Sequence, residues 1–109
     1  MKKALIAASV LALGLGTAET AFALDGPNSF MSAEAAIAKA QAAMKMVKDK
    51  SAHGLVHTLI DDAKSMLESS KHNHAKPAAG IYDHARSVAK ARSATAYAET
   101  AEILAGKSI

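Results

Sequence analysis

From residue 33 onward, apolar side chains recur every three or four positions, the spacing of one face of an α-helix. Four segments can be read this way. The first carries Ala33, Ile37, Ala40, Met44 and Val47, and the second Val56, Leu59, Ala63, Met66/Leu67 and Ser70. The third carries Ala78, Ile81, Ala85 and Val88, and the fourth Ala94, Tyr97, Ala101 and Leu104. No run alternates with period two, so the pattern predicts no strands. Ser29 or Ser32 can cap the first segment, with Glu34 in its first turn. Lys48-Asp49-Lys50-Ser51 interrupts the pattern before the second. The polar run Lys71 to Pro77 precedes the third and ends in a proline suited to a first helical turn. Ser93 can cap the fourth, and Gly106 can stop it. Short connections between such segments make neighbours antiparallel. The expected fold is therefore an all-α, up-down antiparallel four-helix bundle over residues 32–109. A long hairpin of the first two segments, with the rest loosely attached, is the alternative.

The N-terminus has a different layout. Met1-Lys2-Lys3 is positive, Ala4 to Gly16 is an apolar run, and Ala21-Phe22-Ala23 is an A-x-A cleavage signal. This is the pattern of a secretory signal peptide over residues 1–23. Thirteen helical residues span only about 20 Å, short of the hydrocarbon core, so the run is not expected to remain as a membrane span. Export implies a periplasmic protein. The turn-rich stretch from Leu24, through Leu-Asp-Gly-Pro-Asn-Ser, predicts a flexible leader over 24–31.

Composition sharpens both readings. Half of the 109 residues are hydrophobic, yet aromatics make up 4% and cysteine is absent. Much of that hydrophobic half is alanine, 27 residues, of which 20 follow the expected cleavage point. Alanine at the helix seams allows close approach, but each one contributes little burial energy. A buried Leu or Ile contributes roughly 1.5–3 kcal/mol, and this chain has few. A homodimer or a bound ligand would supplement so thin a core. The missing cysteines exclude a disulfide scaffold, a Cys zinc site and an iron–sulfur cluster. Removing Lys2, Lys3 and Glu19 lowers the formal charge from +3 to +2. No cluster of Lys or Arg longer than two appears, so nucleic acid is not an expected partner.

Histidine is the remaining chemistry. There is no nucleophile elbow, Gly-rich phosphate loop or His-Glu-x-x-His motif, so no enzyme is expected. His53 and His57 are spaced i, i+4, and Asp61 follows at i+4 again. With Ala63 as the centre of the apolar face, these three fall at about 80°, 120° and 160°, on one flank of the helix. Imidazoles suit copper, nickel or zinc, and a carboxylate can complete the sphere. A solvated polar flank is the competing reading. His72 and His74 form a His-x-His pair in what the pattern predicts as a loop. His84 lies near that same end, toward which Glu99 and Glu102 of the fourth segment would return. This predicts a second group of His72, His74 and His84 with a carboxylate. The methionines at 44 and 66 fall on core positions, where Met is common filler.

These pieces resemble the small metal-binding protein family of the bacterial periplasm: short, exported, Cys-free, Ala- and His-rich four-helix bundles. Lys50-Ser51-Ala52-His53 resembles that family's turn into its second helix, and Ala63-Lys64-Ser65-Met66-Leu67-Glu68 resembles the helix body. Gly80-Ile81-Tyr82-Asp83-His84 and Ser87-Val88-Ala89-Lys90 resemble its third helix. The resemblance implies a scavenger or buffer of divalent transition metals (Cu, Ni or Zn). Of the histidines, only His53 and His84 fall on family pattern positions. Lys39, Asp62, Lys90 and Glu99 or Thr100 stand where the family has others, which implies fewer ions and weaker binding. A metal-independent helical adaptor or stress chaperone is the alternative, and Ile103, about 160° from the fourth segment's apolar centre, is the exposed apolar residue it would use.

Overall fold

The computed structural model describes residues 25–76, 78 and 80–109. The expected export signal, residues 1–23, and Pro77 lie outside them. Three helices account for nearly all of the described chain: α1 (Gly26–Met44), α2 (Lys50–Ala75) and α3 (Ile81–Lys107).

The four-helix expectation is therefore corrected to three. The third and fourth segments are one helix, because nothing between Ile81 and Gly106 breaks it. There is no Pro or Gly in that interval, and Ser93 sits exposed on the helix surface instead of capping a new one. Buried positions run Ser87, Ala91, Ala94, Ala98, Ala101 and Ala105. That is a continuous four-three spacing, the heptad rhythm of a supercoiled seam. It also turns outward three residues expected inside, Ile81, Ala85 and Tyr97. Ile81 is 68% exposed and Tyr97 37% exposed, while Asp83 is buried in their stead. Tyr97 lies one residue, about 100°, from the seam position Ala98.

The expected leader is likewise helical from Gly26 onward. Asp25 is the N-cap: its side chain accepts from the Asn28 N–H at 3.2 Å, and Pro27 occupies the first turn. Asp-Gly-Pro reads equally as a turn or as a cap followed by a first-turn proline. Packing selects the second, since Gly26 is buried and Phe30 packs against the core. Asp49 caps α2 in the same way, accepting from the Ala52 N–H at 2.8 Å. Gly80 starts α3 at φ +61°, a left-handed conformation that a Cβ would strain.

Side-chain contacts set the directions. Lys71 Nζ reaches Glu34 Oε2 at 2.8 Å, so α2 runs antiparallel to α1. Ser70 and Ser87, both fully buried, clasp α2 to α3. The Ser87 hydroxyl donates to the Ser70 carbonyl at 2.8 Å, and the Ser70 hydroxyl donates to the Ser87 carbonyl. The bundle is therefore up-down-up, with α1 and α3 parallel. Its core places the branched side chains of Ile37, Val47, Val56, Ile60 and Leu67 against the alanine seam of α3. Ile103, expected outside, is 61% exposed. Among the described residues no helix is long and apolar enough to cross a membrane.

Candidate metal centre

All five histidines lie on helices, and the antiparallel register sorts them to opposite ends of the bundle. His53 and His57 occupy the first turns of α2. His72 and His74 occupy its last turn, and His84 the first turn of α3. The twenty-one residues from His53 to His74 correspond to about 30 Å of helix, so the two ends cannot share an ion within one chain.

At the first end, His57 Nδ1 contacts Asp61 Oδ2 at 3.3 Å, with both side chains about half exposed. A carboxylate on Nδ1 stabilises the tautomer protonated there and leaves Nε2 as the free ligand atom, the usual outer-shell arrangement of metal-binding histidines. Asp61 stands against Nδ1 of His57, one helical turn along. His53, half-buried, lies one turn earlier, with its Cβ about 6 Å away by helical geometry.

At the second end, the expected loop containing His72 and His74 is instead helix through Ala75. That separates the pair. Two residues apart on a helix is a rotation of about 200°, so their rings leave opposite sides. His72 is exposed, whereas His74 turns toward α1 and α3 and is half-buried. There its ring meets His84, with centroids 5.7 Å apart and planes inclined at 71°. On its other side it meets the Phe30 ring at 5.4 Å and 88°. The first residue of α1 leaves room for this. A Cβ built on Gly26 would stand 3.0 Å from His74 Nδ1.

The sequence reading missed Phe30 and Gly26. The signal was present, because stepping the α1 seam back from Ala33 by three and then four residues reaches both. The Gly-Pro turn signal concealed it. Glu99 and Glu102 are also reassigned. With α3 continuous and leading away from His84, Glu99 lies about 22 Å along the helix from it and cannot complete that group. Among the described residues, no set of three or more His, Asp or Glu side chains is gathered to hold an ion. What the fold does assemble is a two-histidine pair across helices and a histidine against a carboxylate on one helix.

These features define a class: a small three-helix bundle with an alanine seam and a pair of histidines in contact across two helices. Comparison with protein-family models, curated proteins and solved structures found no match to the chain.

Proposed function

We propose that the protein binds a divalent transition metal (copper, nickel or zinc) through its surface histidines, as a periplasmic scavenger or buffer. The supporting observation is the spacing of His74 and His84. With metal–nitrogen bonds of about 2.1 Å and a tetrahedral ion, two imidazole centroids stand about 5 Å apart. The observed 5.7 Å needs only a small ring movement to reach that value. Two protein ligands leave the remaining coordination positions to water or to a partner's ligands. An open site of that kind exchanges its ion readily, which suits a buffer more than a structural role. His57, with Asp61 behind it and His53 one turn away, is a second and more exposed place for an ion. Imidazoles bind metals only when neutral, so loading falls on acidification.

Calorimetric titration with Zn(II) and Cu(II) tests this reading. The wild type is expected to bind saturably, with His74→Ala and His84→Ala each removing the same component and His72→Ala leaving it intact. Gly26→Ala should weaken that component, because its methyl group would crowd His74 Nδ1. Equal heats for the wild type and a His74→Ala/His84→Ala double variant would refute the cross-helix site.

A further inference from the structure

Among the described residues, one lysine is not exposed. Lys90 of α3 is half-buried, and its Nζ donates to Ser69 Oγ at 2.8 Å and to Asn73 Oδ1 at 2.7 Å. Both acceptors are neutral. Among the described residues, no carboxylate lies within ion-pair distance of it. An ammonium has three donors, and two of them meet the Ser69 and Asn73 oxygens. The Lys90 side chain lines an open hollow of about 420 Å³ between α2 and α3. Met66 and Ala89 supply apolar walls there, with Ser65, Ser69 and Ser93 alongside.

The cavity does not stand alone. One turn further along α3 from Ser93, a second hollow of about 350 Å³ is lined by Leu59, Ala96, Tyr97 and Thr100. The two hollows follow one another in the same inter-helix groove over about 15 Å of α3, from Lys90 to Thr100. Together they have the size range and mostly apolar lining of small-molecule sites. Charge gives the groove a direction. Its cation is at the Lys90 end. Asp62, on the same flank of α2 and exposed, stands further along the rim and disfavours an anion there.

We propose that this groove binds a free single-chain carboxylate of the fatty-acid class. The carboxylate pairs with Lys90 Nζ, and the hydrocarbon chain lies over Met66 and Ala89 toward Leu59 and Tyr97. A charge-assisted hydrogen bond supplies the missing counter-ion, and the chain covers apolar walls that otherwise face water. A phosphate-rich ligand fits less well, since among the described residues Lys90 is the one cation lining the two hollows. The site is separate from the histidines and does not depend on metal.

Calorimetry with dodecanoate, held below its micelle-forming concentration, is the test. Saturable binding near one ligand per chain is expected. Lys90→Gln should weaken it at least tenfold, and dodecyltrimethylammonium, with the same tail and opposite charge, should not saturate. Ala96→Glu changes an exposed position and so spares the fold. It places a carboxylate in the groove and should also abolish binding, which keeps the test decisive if Lys90→Gln unfolds. Equal affinity for the wild type and a folded Lys90→Gln variant would overturn the proposal. So would equal binding of the two surfactants, or undiminished binding by Ala96→Glu.

Discussion

Replacing Arg92 by proline distinguishes one long α3 from two shorter helices. Arg92 is exposed near the middle of Ile81–Lys107, so its removal disturbs no core packing. Proline there deletes the amide that donates to the Val88 carbonyl, and its ring collides with that same carbonyl. In a helix interior the cost is about 3 kcal/mol relative to alanine. A domain of this length has a total stability of only roughly 4–13 kcal/mol. At about 4–8 °C per kcal/mol, Arg92→Pro should melt about 12–24 °C below Arg92→Ala. Had a turn separated two helices near Ser93, proline would be nearly free. Circular dichroism at 222 nm during heating provides the measurement. A melting temperature for Arg92→Pro within about 4 °C of Arg92→Ala, a difference of no more than ~1 kcal/mol, would refute the continuous helix.

The core and the caps allow similar checks. Among the described residues Ile60 is the largest fully buried side chain, so Ile60→Ala should cost about 2–5 kcal/mol in urea unfolding, whereas Ile103→Ala, at 61% exposed, should stay within about 0.5 kcal/mol of the wild type. Asp49→Ala removes the acceptor of the Ala52 N–H and should lower stability by about 1 kcal/mol; an unchanged urea midpoint would show that the cap contributes nothing.

The helical class was legible because the three-to-four spacing of apolar residues is strong, and because no segment alternates as a strand would. The break before α2 was legible as well, from Lys48-Asp49-Lys50-Ser51, but that Asp49 caps the helix emerges only from the structure. The join within α3 was not legible. Alanine occupies buried positions at 91, 94, 98, 101 and 105 and exposed ones at 85, 89 and 96. A residue equally at home on either face carries no phase information. The larger residues that were read as marking the inner face, Ile81 and Tyr97, in fact face outward. Ser70 falls on the inner face that the spacing predicts, but the buried Ser87 was obscured, since hydroxyls usually mark a surface. Here each hydroxyl donates to the serine carbonyl of the other helix, and the two hydroxyls stand 3.2 Å apart.

The candidate site divides along the same line. Contacts within one helix follow from spacing alone: His57 and Asp61, four residues apart, meet as helical geometry requires. Contacts between helices do not. His72 and His74 are neighbours in sequence but point apart once the last turn of α2 forms. His74 and His84, ten residues apart, become neighbours because the chain reverses at Gly80 and the seams then fix the register of α2 against α3.

The sequence by itself determined that the chain forms amphipathic helices, that their core is poor in bulk and that histidine supplies its candidate ligands. These are properties of composition and local period. Only the tertiary structure decided the number of helices, the seam of α3 and which histidines stand together. Those depend on packing between distant segments, and in an alanine-rich chain packing, not side-chain character, selects the face that turns inward.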